Sequence, residues 1–166
     1  MRLEMVPSTD FPIAARPGRS PALYALIVLL AVLSIAGLVG GLSLIGDRTG
    51  ASIAADPTWL EGIPVDDFLL PGIFLALVYG VFGLALIGGL WTRASFGPLV
   101  AFDRAAGHIW SWWGAVALGV VLVAWIVYEL FVIPEMTWLQ PALAGMGLAI
   151  VMVAMTPSVR AYARTH

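Results

Sequence analysis

The sequence predicts an all-α, polytopic integral membrane protein in which four transmembrane helices form a bundle. Of its 166 residues, 61% are hydrophobic and 11% are charged, whereas soluble domains are about 45–50% apolar and about 25% charged. A soluble domain of this size could not bury so much apolar surface. In addition, four apolar stretches approach or exceed the roughly 20 residues needed to cross a bilayer core. None of them alternates apolar and polar residues, as a transmembrane strand does.

The segments between the predicted spans differ in kind. Residues 1–21 contain four prolines and are expected to be a mobile cytoplasmic tail, and residues 157–166 a cytoplasmic C-terminal tail. The loop 92–108 mixes apolar and charged residues, so it is either an amphipathic segment at the interface or a plain connector. The loop 46–67 is too long for a turn and is expected to have structure or a role of its own. The spans are predicted at 22–45, 68–91, 109–133 and 138–155, and together they form one membrane domain, 22–156.

The positions of the arginines predict how the chain is oriented. Of the eight basic residues, all except Arg48 lie before the first span, between the second and third, or after the fourth. Because short loops rich in Arg or Lys stay in the cytoplasm, we expect both termini there. Aromatic side chains concentrate at membrane interfaces, so Trp59 and Trp138 are expected to anchor the outer one.

Each predicted span carries small residues four positions apart. In lipid, helices associate through close van der Waals contact, which such pairs permit. We therefore expect tight helix seams, some of which could serve a partner chain, although glycine and alanine are abundant enough here for chance matches. The pairs are Gly37 with Gly41, Ala76 with Gly80, Ala115 with Gly119, and Gly145 with Ala149.

The outer loop contains a recognisable pattern. The run from Trp59 to Pro64 reads W-L-x-G-x-P, and it leads through Asp66 and Asp67 to Pro71-Gly72 at the start of the second span. This pattern resembles one found in small four-span bacterial membrane proteins that have no established activity. The resemblance implies a four-helix fold and the bacterial inner membrane, and it supplies no catalytic residue to transfer.

The chain lacks the residues that several common catalytic and cofactor-binding sites require. Cysteine is absent, which excludes disulfides, thiolate metal sites and dithiol redox chemistry. His108 and His166 have no histidine partner within a span, whereas bis-imidazole haem ligation needs one. The net charge of −2 removes any general case for nucleic-acid binding. We therefore expect a non-enzymatic protein without cofactor or metal.

Glu129 is the only ionisable side chain inside a predicted span, and such residues are functional hypotheses by default. It lies near the outer end of the third span, at the height of Gln140 across the hairpin. We expect a hydrogen bond between Glu129 and Gln140, joined by Arg48 from the outer loop. Two interpretations stay open for this polar site: a structural pin at the interface, or the handling of a proton, ion or ligand.

Two functional hypotheses follow from the sequence. The first is a non-enzymatic accessory or scaffold subunit of a larger membrane complex, whose partners are the bilayer and either another membrane protein or a second copy of the chain. The second is a small oligomeric transporter or channel that uses Glu129.

Overall fold

The structure is a computed structural model that describes residues 18–60, 65–132 and 137–165, and within these ranges every named element is helical. Among the described residues, three helices are long and apolar enough to cross a membrane, or four if one bent pair counts as a single span. The expectation of an all-helical chain with helices of membrane-spanning length and apolarity is confirmed for these residues.

Helix α1 runs over Pro21–Gly46, one residue beyond the predicted span at each end. The hydroxyl of Ser20 accepts a hydrogen bond from the Leu23 amide at 3.2 Å, which satisfies a free donor of the first turn. Pro21 stands at the first helical position, where its missing N–H costs nothing.

The second span, Leu69–Thr92, is a continuous helix with an unusual middle. It begins as α2, Leu69–Phe74, widens into a π-helical segment at Leu75–Val81, and continues as α3, Phe82–Thr92. A π turn pairs residues five apart rather than four, so the side chains that follow are rotated relative to an uninterrupted α-helix.

The loop after the second span contains helix α4, Pro98–Ala106. Residues 92–108 thus contain a helix, as the amphipathic alternative requires. Its apolar side chains Val100 and Phe102 are exposed, while Asp103 is buried and accepts a hydrogen bond from the Ser95 hydroxyl.

The last two long helices are α5, Trp110–Val132, and α6, Leu139–Ala154. Helix α6 has 16 residues and is therefore about 24 Å long, which is shorter than a bilayer core of about 30 Å. It is followed by α7, Pro157–Ala163, at an angle of 66°. The segment expected to be a C-terminal tail thus contains a helix.

Helix α7 packs against the bundle because Val159, Tyr162 and Ala163 share one face and are all buried. The Tyr162 hydroxyl donates to the Leu90 carbonyl at 3.0 Å, and the Ile109 amide donates to the Ala163 carbonyl at 2.9 Å. These bonds tie the C-terminal segment to the end of the second span and to the start of α5.

The four long segments close into a ring around a leucine-rich core. Helix α1 contacts the second span and α6, α3 contacts α5, and α5 contacts α6. The largest fully buried side chains of this core are Leu23, Leu26, Leu30, Leu86, Leu90, Ile126 and Ile150.

One seam joins α1 to the second span. A Cβ atom added at Gly37 would lie 2.8 Å from the Cβ of Tyr79 and 2.9 Å from the amide nitrogen of Gly80. At Gly41 it would lie 2.5 Å from the amide nitrogen of Ala76. The helix backbones are therefore in direct contact along the predicted small residues of both spans.

A second seam joins α5 to α6, where Gly119 and Gly147 face each other. A Cβ added at either glycine would lie 2.8 Å from the carbonyl oxygen of the other, and Ala115 is fully buried on the same side of α5. On α6 this seam differs from the expected pair of Gly145 and Ala149. Gly145 is exposed and a Cβ there would meet nothing within 4 Å, because two residues along a helix turn the side chain to the opposite face.

Candidate functional site

A cavity of about 630 Å³ lies at the end of the bundle that carries residues 47–68, here called the loop end. Its walls come from the second half of α1, the segments η1 (Ala51–Ile53) and η2 (Pro57–Leu60) of the loop, the first half of the second span, the end of α5 and the start of α6. Most of the residues that line it are apolar. Among the described residues, a few polar side chains therefore set the chemistry of the cavity.

The loop folds over this end through its own small apolar cluster. Leu44, Ala55 and Phe68 are buried together, with Trp59 and Leu60 packed against them. The Phe68 amide donates to the Arg48 carbonyl at 3.1 Å, which joins the two ends of the loop. The expectation that this loop has structure of its own thus holds for its described residues.

Asp47 organises the first turn of the loop. Its carboxylate accepts hydrogen bonds from the Thr49 hydroxyl at 2.6 Å and from the Ser52 amide at 2.8 Å. These bonds, the one from the Thr49 hydroxyl foremost, hold the pKa of Asp47 below its ordinary value. Asp56 is placed in the same way by the amide and hydroxyl of Thr58, which likewise lower its pKa.

Aromatic rings form a connected wall of the cavity. Phe74 lies 5.2 Å from Trp125 and meets Tyr79 edge to face at 5.7 Å between ring centroids. Trp125 in turn lies 5.9 Å from Tyr128. Such separations are typical of favourable aromatic pairs. The second span and α5 therefore present one continuous aromatic surface to the cavity.

Glu129 and Gln140, the two predicted polar residues within the spans, both line this cavity. Glu129 accepts a hydrogen bond from the indole N–H of Trp125, one helical turn earlier. The side-chain oxygen of Gln140 accepts from the Thr137 amide at 2.7 Å. The structure brings the two residues to one cavity, and the bonds it records for each go to neighbours on the same segment.

Arg48 stands apart from that pair. Its guanidinium lies 3.8 Å from the Asp67 carboxylate, with both side chains substantially exposed. Asp67 also accepts a hydrogen bond from the Leu69 amide at 3.0 Å, at the start of α2. Arg48 therefore pairs with the far end of its own loop, and it does not line the cavity.

The two predicted interface tryptophans have different environments. Trp59 is half-buried, packs on the loop cluster and lines the cavity. Trp138 is 79% exposed at the start of α6. Trp59 thus belongs to the site, whereas Trp138 presents its ring to the surroundings.

Tyr79 is a site residue that the sequence reasoning missed. Its side chain is only 4% exposed and lines the cavity from the π-helical segment. Its hydroxyl has no hydrogen-bond partner among the residues that the structure describes. The available indication was a tyrosine in the middle of an apolar span, because a buried phenol normally needs a partner for its hydroxyl.

Over 18–60, 65–132 and 137–165, no three His, Asp or Glu side chains are grouped so that they could hold a metal ion. No family model, curated protein or solved structure matches this chain.

Proposed function

We propose that this chain is a non-enzymatic integral membrane protein that binds an apolar molecule in the loop-end cavity. The cavity itself carries the proposal: about 630 Å³ of mainly apolar space falls within the range of about 300–1,000 Å³ typical of ligand pockets. The described part of its lining holds no histidine, lysine or serine, the usual components of a nucleophile with its base. Its chemistry favours binding over reaction.

The proposal places the cavity near the outer surface of a bacterial inner membrane, with both termini in the cytoplasm. This orientation is supported by the excess of arginine at the end of the bundle opposite the loop end. There Arg19 donates to the Trp91 carbonyl and Arg93 donates to the Arg164 carbonyl. Because the chain has no cysteine, single introduced cysteines report their own exposure. A membrane-impermeant maleimide added to intact cells should label Ser52→Cys and spare Ser158→Cys. The reverse pattern would contradict this orientation.

A matched pair of substitutions tests whether a ligand binds in the cavity. Gly40 lines the cavity and a Cβ there meets only a leucine methyl at 3.6 Å, so Gly40→Leu extends into the cavity without breaking a seam. Gly88 lies on α3 with nothing within 4 Å of an added Cβ, so Gly88→Leu makes the same change away from the cavity.

The neutral fluorescent probe N-phenyl-1-naphthylamine reports occupancy through energy transfer from the tryptophans that line the cavity. We measure it on the full chain in lipid nanodiscs, with empty nanodiscs subtracted. Saturable transfer should occur in the parent chain and in Gly88→Leu, and should fall severalfold in Gly40→Leu. Equal signals from the two variants, or no transfer above that of lipid alone, would refute binding in the cavity.

We also propose that the protein works as an accessory subunit of a larger membrane complex. The outward faces of α1 and α5 are apolar, so either could exchange lipid for a neighbouring protein without burying an unpaired polar group. Mild detergent extraction from native membranes, followed by sizing and mass spectrometry, tests this role. A monodisperse monomer with no accompanying protein would contradict it.

A small oligomeric transporter or channel is the second candidate, because the carboxylate of Glu129 lies at the wall of the cavity. Flux of a solute through reconstituted liposomes that disappears in Glu129→Ala would favour transport. If neither the parent chain nor Glu129→Ala changes the permeability of the liposomes to ions and solutes, the protein binds its ligand without transporting it.

A further inference from the structure

Among the described residues, one side chain can give the cavity a charge. Glu129 is the single ionisable acid or base among the described residues that line it, apart from the tyrosine phenols. The indole N–H of Trp125 donates a hydrogen bond to its carboxyl group. Within the described ranges no arginine forms an ion pair with Glu129, that is, none has a nitrogen within 4.0 Å of its carboxyl oxygens. Arg48 pairs with Asp67 instead. When Glu129 is ionised, the cavity thus offers a negative charge that no described basic side chain neutralises.

Aromatic rings line the same cavity as Glu129. Trp125 holds the carboxylate through its indole N–H, and its ring lies between Phe74 and Tyr128. Tyr79, against Phe74, adds a buried hydroxyl oxygen without a partner among the described residues. The faces of such rings carry negative potential and attract organic cations, with the strongest attraction in desolvated sites.

From these observations we infer that the cavity binds a lipophilic organic monocation, such as a quaternary ammonium or phosphonium ion that carries apolar groups. Its charge lies at Glu129 against the ring of Trp125, and its apolar groups fill the rest of the cavity. This inference rests on the proposed function and names the class of ligand for the same site.

Other classes of occupant fit these observations less well. A divalent metal ion needs several oxygen ligands, and no group of three candidate ligands occurs in the described chain. An anionic amphiphile would place its charge against that of Glu129. A neutral hydrocarbon would leave the carboxylate in an apolar space without a counter-charge.

Tetraphenylphosphonium is the test ligand, and displacement of N-phenyl-1-naphthylamine from the full chain in nanodiscs of neutral lipid is the readout. The test variant is Glu129→Gln, which keeps the shape of the side chain and removes its charge. The control is Asp66→Asn, which removes one negative charge at an exposed loop position that does not line the cavity.

In the parent chain and in Asp66→Asn, tetraphenylphosphonium should displace the probe with the same midpoint to within twofold. In Glu129→Gln the midpoint should rise at least tenfold while the neutral probe still binds. If the probe binds and the cation displaces it equally from parent and Glu129→Gln, or not at all, the inference is wrong and the proposed function stands. If the neutral probe does not bind to the parent chain, both are wrong.

Discussion

Gly41 provides the sharpest test of how the first two spans pack. It lies in the seam between α1 and the second span, where an added Cβ would sit 2.5 Å from the Ala76 amide nitrogen and 2.6 Å from the Gly72 carbonyl oxygen. Both neighbours are backbone atoms, which cannot rotate away as the end of a side chain can. Gly41→Ala must therefore push the two helices apart.

The expected cost follows from that geometry. Overpacking a tight interior costs about 1–3 kcal/mol, and contacts with rigid backbone on two sides place Gly41→Ala near 3 kcal/mol. The control is Gly145→Ala on α6, where an added Cβ meets nothing within 4 Å. Gly145→Ala should leave the free energy of unfolding unchanged or raise it by roughly 0.5–1 kcal/mol, because alanine stabilises a helix by that amount relative to glycine. The two single-methyl variants should thus differ by about 3–4 kcal/mol, or more than 100-fold in the unfolding equilibrium.

Unfolding free energies measured by steric trapping in bicelles test this difference. The parent chain, Gly41→Ala and Gly145→Ala are compared under one lipid composition, with helical content checked by circular dichroism. Equal stabilities of the two variants would show that the backbones of α1 and the second span are not in contact at Gly41. Our description of the seam would then be wrong.

Two further predictions concern polar groups near the cavity. Replacing Tyr79 by Phe removes a buried hydroxyl that has no partner among the described residues, so the free energy of unfolding should stay the same or rise by about 1 kcal/mol; a loss of stability in the same steric-trapping assay would contradict this. Asp47 has a pKa below its ordinary value of 3.8, so its stabilisation of the loop is present above that pH and is lost as the pH falls through the lower, folded pKa. The protection of the Ser52 amide against hydrogen exchange, relative to its intrinsic rate at the same pH, should therefore fall in that acidic window. In Asp47→Asn this fall in protection should be absent.

Much of the fold follows from local features of the sequence. The ends of α1 were predictable to one residue from its apolar run. The structure adds Ser20 and Pro21 as the local reasons why the helix begins where it does. The glycines of α1 were predictable as a seam because close approach needs small side chains. The seam of α6 was not, since Gly145 and Gly147 are equally small and only the neighbouring helix determines which of them faces it.

The candidate site was predictable in its residues rather than in its shape. Glu129 and Gln140 stand out as polar groups near the ends of apolar spans, and the structure places both at the cavity. Their bonds to Trp125 and Thr137 run within their own segments, so the expected bond across the hairpin was not needed to satisfy either group. A tyrosine in an apolar span indicates a hydroxyl that needs a partner, but it does not indicate which way the ring points, and Tyr79 was therefore missed.

The sequence by itself determined that most of this chain is apolar helix, where the long helices begin and end, and which side chains could carry charge among them. It could not determine rotation, because a helix that is apolar on every side has no stripe to show which face meets its neighbours. Only the tertiary structure decided that the second span widens into a π-helical segment, that α7 packs back against the bundle, and that a cavity opens beside Glu129. These features depend on contacts between residues far apart in the chain, which local sequence patterns do not encode.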